Sequence, residues 1–242
     1  MKQIEQYLAH KQKVFAAHPF FARLEVGNAD STALDFAPGL TFWVFTFQDL
    51  LRLNEARISD PALRKIARHH SAEDRGHEVW FVDDVAQIDP TPRDFRWLFG
   101  RHHEQTRDAS YALIAEVFQP IDDYARIVLL LTLESAGHVF FERIARYVDH
   151  IEPDTTLRYF SRWHLAVEKE HELFEEELHK RLDVSFDPQL RAALTTMIDR
   201  CYEAFSDLFV GLEERFVRRA SGTKSISPGH PANDTSKRLG AR

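Results

Sequence analysis

The chain has 242 residues, 44% of them hydrophobic and 29% charged, with 19 Phe but only 9 Gly. That length suits one domain, and few glycines with long periodic segments favour helices over strands joined by tight turns. The formal net charge of −7 gives no basic footprint for nucleic acid or an anionic membrane. A single cysteine, Cys201, excludes an internal disulfide and leads to the expectation of a reducing, cytoplasmic setting. The opening MKQIEQYLAHKQ is too polar for a secretory signal, and no run approaches the roughly 18 apolar residues of a membrane span.

In chain order, the periodicity predicts seven helices. The first covers about 2–24, with a bend at Pro19. The second, about 33–54, contains GLTFWVFTFQDLL and is apolar nearly all round, so burial on most sides is expected. The third, about 60–88, opens on Ser59-Asp60-Pro61, with Asp60 as N-cap and Pro61 at the first helical position. The fourth spans about 92–118 and the fifth about 121–149, the latter carrying the very apolar RIVLLLTLESAGHVFFERI. The sixth covers about 154–182 and the seventh about 187–220. Residues 1–220 read as a single all-α bundle with short connections. Residues 221–242 are polar and aperiodic and read as a disordered tail.

Three of these helices place ionisable groups on an apolar stripe. In RWHLAVEKEHELF, His164, Glu168 and His171 fall within an arc of roughly 60° at about 100° per residue, beside Leu157, Phe160 and Val167. The third helix offers His70, Glu73 and His77 on one face, and the fifth offers Glu134 and His138, four residues apart. Such groups are costly on an apolar face unless they are paired or bind a metal. Imidazole and carboxylate together suit iron, manganese or zinc, and the absence of cysteine from the set argues against a thiolate zinc site. The competing reading is a buried hydrogen-bond network, since 13 His in the chain allow some chance alignment. His69, His102, His103, His150 and His179 read as surface or loop residues. Cys201 reads as a buried, inert thiol. Phe42, Trp43, Phe45 and Phe47 are candidates for a substrate pocket, with ordinary core packing the stronger reading.

Over roughly residues 1–215 the sequence resembles the haem-oxygenase-like superfamily, the seven-helix group of TenA thiaminases, PqqC-type oxidases and haem-oxygenase-like di-iron oxidases. The resemblance rests on the HPFF segment, on Phe47-Gln48-Asp49, on His77 before EVWF, on Glu134, and most strongly on His164-x3-Glu168-x2-His171. It implies a metal-dependent oxidase or oxygenase, with Fe(II), as two ions, or manganese as cofactor, and with O2 and a small organic molecule as substrates. Groups like His77 and Glu134 would hold one iron and groups like His164 and His171 the other, with Glu168, Glu73, His70 and His138 as further candidate ligands. Two departures stand out. Glu168 replaces the Asp usual within the last motif, and His70 stands seven residues before His77, where a carboxylate is expected ahead of that histidine. One, two or no metal ions therefore remain open. The other readings are a metal-free TenA- or PqqC-like enzyme using the same cavity for acid–base work, and a non-enzymatic binding protein. A homodimer follows from the superfamily and from the frequency of C2 symmetry.

Overall fold

The computed structural model describes residues 1–25, 34–119, 122–170 and 185–220, with side chains described except at 168–170 and 214–220. Helices α1 (Lys2–Phe15), α2 (Pro19–Ala22), α3 (Thr41–Ala56), α4 (Pro61–Glu73) and α5 (His77–Ile88) form the first half. They are followed by α6 (Phe95–Leu98), α7 (Glu104–Val117), α8 (Asp123–Ile151), α9 (Arg162–Glu170) and α10 (Pro188–Ala220). Short 3-10 turns at Ala37–Leu40 and Arg101–His103 lead into α3 and α7. No strand occurs among the described residues.

Local chemistry fixes several helix starts. The Asp60 carboxylate accepts the amides of Ala62 (2.7 Å) and Leu63 (3.0 Å), with Pro61 at the first position as the sequence predicts. Asp122 caps α8 through the Ala125 amide at 2.9 Å. Asp187 caps α10 through Gln189 and Leu190, at 2.8 and 3.0 Å. Four orphaned amides open every helix, and these carboxylates satisfy some of them while meeting the positive end of the helix dipole.

The core is organised around α8, which buries Val128, Leu129, Leu133, Phe140, Ile144 and Tyr147. Helix α10 lies against α7, α8 and α1, while α3 packs on α7 and α4. Close approach of α10 to α7 occurs at Gly211, where an added Cβ would come within 3.1 Å of Thr106 Cγ2. Around Phe15, an aromatic cluster of Phe21, Tyr202, Phe205 and Phe209, with centroids 5.3–6.2 Å apart, joins α1, α2 and α10.

The structure departs from the sequence reading in five places, one being the fourth predicted helix, which is divided into α6, the Arg101–His103 turn and α7. The third predicted helix is two, α4 and α5, broken where Gly76 takes a left-handed φ of 101°. The first divides at His18, whose ring accepts the Phe20 amide and caps α2. The sixth begins at Arg162 rather than at 154, because the amides of Arg158 and Phe160 bond the Asp84 carboxylate instead of a helical ladder. The second is not buried on most sides. Only Val44, Leu50, Leu51 and Asn54 of α3 are buried, while Phe45 is 47% exposed and Phe42 meets Phe99 and Tyr111 at the surface. Aromatic composition alone cannot tell an inward face from an outward one. Residues 221–242, read as a tail, lie outside the described residues.

Among the described residues, no helix is long and apolar enough to cross a membrane.

The left-handed turn at Gly76 carries a steric prediction. Nothing lies within 4 Å of a Cβ placed there, so the cost of Gly76→Ala is conformational rather than packing. Substitution is expected to lower unfolding free energy by about 1–2 kcal/mol, measured by chemical denaturation. An unchanged midpoint would show that the α4–α5 turn carries no backbone strain.

Candidate functional site

The centre of the bundle encloses a cavity of about 450 Å³, within the usual size of small-molecule sites. Its wall is largely apolar, with Trp43, Phe47, Phe140, Phe141, Phe205 and Phe209 among the lining residues. At its polar part stand His70, Glu73, Asp74, His77, Glu134 and His164, drawn from α4, the α4–α5 turn, α5, α8 and α9.

Two imidazoles form the buried heart of this group. His77 is 4% exposed and His164 1%, and His164 Nε2 lies 3.2 Å from His77 Nδ1. The Tyr159 carbonyl sits 2.9 Å from His164 Nδ1. A carbonyl only accepts, so that nitrogen carries the proton, and in the neutral ring Nε2 keeps a lone pair. Asp74 Oδ1 lies 2.9 Å from His77 Nδ1, which makes His77 Nδ1 the donor. One N–H thus faces two acceptors, the Asp74 carboxylate and His164 Nε2. Asp74 is itself held by the Gln48 side-chain amide, which donates to Oδ2 at 2.5 Å and to the Asp74 carbonyl at 3.1 Å. The Gly76 turn is what brings Asp74 and His77 together, since it folds the α4 C-terminus back on the start of α5.

Aromatic rings enclose the pair. Trp80 stacks on His77 at 4.5 Å, and Trp163 meets Trp80 edge-on at 4.4 Å. Phe141 stands against His164 at 4.1 Å. Such walls hold water away and raise the strength of each polar contact inside.

A second pair lines the same cavity. His70 Nε2 bonds Glu134 Oε1 at 2.8 Å, joining α4 to α8. Glu134 therefore has the partner that a carboxylate in so apolar a helix requires.

The predicted ligands do not all converge. Glu73 bonds His69 Nδ1 at 3.0 Å, and His138 is exposed at the cavity edge. Glu168 belongs to α9, but its side chain and the whole of His171 lie outside the described residues. Sequence reasoning missed Asp74, although the signal was present: it is an acid three residues before His77, across a glycine able to reverse the chain. It also missed Tyr159, whose contribution is a backbone carbonyl and has no sequence signature. Among the other histidines, His69, His102 and His150 are exposed, as expected, and His179 lies outside the described residues. His103 corrects the surface reading, being 3% exposed against Trp97 at 4.2 Å. Of the four aromatics considered for a pocket, Trp43 and Phe47 line the cavity, whereas Phe42 and Phe45 do not.

Among the described residues, no three His, Cys, Asp or Glu groups surround one point as a finished metal site. The donors present do fit a metal in type and pairwise spacing. Bonds of about 2.1 Å at the right angles of an octahedral site place neighbouring ligands about 3 Å apart, and the Asp74–His77 and His77–His164 separations are 2.9 and 3.2 Å. Two lone pairs facing one proton also make a position suited to a cation.

Cys201 is remote from this chemistry in character. It is fully buried, and burial pushes its thiol well above the ordinary range. Nearby Tyr202, whose hydroxyl bonds Ser135 at 2.7 Å, is pushed up to about 12, chiefly by burial.

Comparison with known proteins shows the architecture. A solved domain of unknown function from Shewanella denitrificans, described as having a heme oxygenase-like fold, superposes with a TM-score of 0.61 at 17% identity. The match covers 95% of this chain and 98% of that one. The chain thus has the haem-oxygenase-like fold that its sequence resembles. No family model matches it, and no curated protein does.

The state of Cys201 gives a direct test. A thiol reagent at pH 8 is expected to leave it unmodified in the native protein and to label it once guanidinium unfolds the chain. Rapid native labelling would contradict its burial.

Proposed function

We propose that the protein is a metal-dependent oxidase or oxygenase, of the di-iron kind, that acts with O2 on a small organic substrate held in the bundle cavity. The observation that carries this reading is the buried His77–His164 pair with Asp74 beside it, at the edge of an apolar chamber that also receives Glu134. Oxygen chemistry at a redox metal is the step that protein side chains supply poorly by themselves, and bound Fe(II) would provide it. Manganese accepts the same nitrogen and oxygen donors.

Within that scheme each residue has a stated part. The Tyr159 carbonyl holds the proton of His164 on Nδ1, so the Nε2 lone pair is the one presented for ligation. Asp74 orients His77 and supplies a carboxylate three residues ahead of that histidine, rather than at the position seven residues ahead where the resemblance expects one. Glu134 gives a carboxylate from the opposite helix, and His70 holds it by a hydrogen bond. Glu168 and His171 complete the set through the motif they share with His164. Trp80 and Phe141 shield the pair from water, and Trp163, itself 44% exposed, stands against Trp80. Fixing ring tautomer and direction by such outer contacts is how ligand strength is set in metal proteins. The remaining apolar wall, with Trp43 and Phe47, accepts the organic substrate. The fold's precedent and common C2 symmetry support a homodimer.

One observation favours a second reading, a metal-free acid–base enzyme. Asp74, His77 and His164 form a carboxylate–imidazole–imidazole chain able to move a proton.

Elemental analysis after anaerobic reconstitution with Fe(II) separates the two. Stoichiometric iron is expected, with His77→Ala and His164→Ala each weakening its binding beyond the roughly 10–100-fold that loss of an outer contact costs. Iron-free protein, or variants that bind iron as the parent does, would overturn the metal reading.

A further inference from the structure

Asp84 is among the most deeply buried charged groups of the molecule, at 1% exposure, and none of the chemistry above uses it. It lies seven residues after His77 on α5, about 20° away around the helix axis and therefore on the same face. Its two carboxylate oxygens accept the backbone amides of Arg158 (2.9 Å) and Phe160 (3.1 Å). The Tyr159 amide, between them, also favours the charged form of the same group. Burial raises the pKa of Asp84 and these amides oppose the rise, so a run of backbone dipoles compensates the charge. The Arg158 guanidinium points elsewhere, lying over the Trp163 ring at 5.5 Å.

These three residues form the turn that precedes α9. Its middle member, Tyr159, turns its amide toward Asp84 while its carbonyl meets His164 Nδ1 at 2.9 Å. The chain of contacts is closed, because α5 carries both Asp84 and His77, and His164 returns to His77 at 3.2 Å. Side-chain oxygens that gather successive amides hold a turn in one conformation, since each N–H is otherwise orphaned inside the protein. A cavity wall alone does not need an acid here. An apolar residue would pack the same space without the desolvation of a carboxylate.

We infer that Asp84 is a positioning residue of the imidazole pair: it gathers the amides of residues 158–160 so that the Tyr159 carbonyl fixes the His164 tautomer and turns Nε2 toward His77. The inference rests on the reading that this pair is the working part of the site, but it concerns ring orientation and holds for either a metal or a proton-transfer role. Asp84 does not touch substrate or metal. Its effect passes through a backbone carbonyl, which no side-chain substitution at residue 159 removes.

Long-range nitrogen–proton NMR of the full chain, labelled at histidine, reads the tautomer directly. In the unsubstituted protein His164 is expected as a single Nδ1–H tautomer. In Asp84→Asn, one amide loses its acceptor and faces an NH2 group instead. His164 is then expected to show a mixture of tautomers, with its Nδ1–H exchanging at least tenfold faster, while circular dichroism stays helical. A single unchanged tautomer in folded Asp84→Asn would overturn the inference and assign Asp84 a purely structural part. Should that variant not fold, the unsubstituted protein still decides. There the Arg158, Tyr159 and Phe160 amides and the His164 Nδ1–H are expected to exchange through one shared opening with a common temperature dependence. Independent opening, or an Nε2–H tautomer at His164, would overturn it. Iron binding by the unsubstituted protein is scored separately, so failure of the metal reading leaves this result standing.

Discussion

A hydrogen bond between two buried imidazoles joins α5 to α9, and the rest of the site is arranged around its cost. Ionisable rings inside an apolar bundle are tolerated only where each polar atom has a partner. His164 meets that demand at both nitrogens, through the Tyr159 carbonyl and His77, and His77 meets it at Nδ1 through Asp74. Each partner in turn dictates something about the backbone. Asp74 reaches His77 because Gly76 reverses the chain in a left-handed turn. Tyr159 presents its carbonyl because the turn before α9 is gathered onto Asp84 rather than continuing a helix. Two irregular points beside the cavity thus serve the histidines, which is where deviation from regular geometry is expected to cluster.

The long helix α8 supplies the contrasting element. Its stripe of Leu, Val and Ile would be buried in any bundle, and Glu134 is the position at which that stripe becomes chemical. Paired with His70 across the cavity, it faces a chamber whose other walls are aromatic and aliphatic. A polar end and an apolar body are the general requirements for orienting a small organic molecule. Architecture alone does not choose the reaction. The Shewanella domain that shares the fold is itself of unknown function, so the chemical argument rests on side chains of this chain.

Much of the architecture could be read from periodicity and caps. The apolar run in α8 and the Asp60-Pro61 start of α4 follow from local rules that tertiary packing did not override. What could not be read was where a helix pauses without a proline. EDRGH continues a helical pattern on paper, and only the left-handed φ of Gly76 shows the break. The turn at 157–161 has no breaker, because its conformation is imposed by Asp84, about 75 residues away in sequence. The same limit applies to the site. His77, Glu134 and His164 were visible as polar residues on apolar faces, and the structure brings them to one cavity. Asp74 was hidden because its contact depends on the unforeseen turn. Glu73 was favoured by its place on the helical face and instead bonds His69. The aromatic richness of α3 serves both a cavity wall and an outer surface, so its composition does not reveal its burial.

The claim on which the chemistry depends is that these histidines and carboxylates ligate iron. X-ray absorption at the iron edge of protein reconstituted with Fe(II) addresses it most directly. A first shell of nitrogen and oxygen with the multiple-scattering pattern of imidazole, lost on removal of the His164 ring, is the predicted result. A spectrum of fully hydrated iron, or one unchanged without that ring, would contradict it.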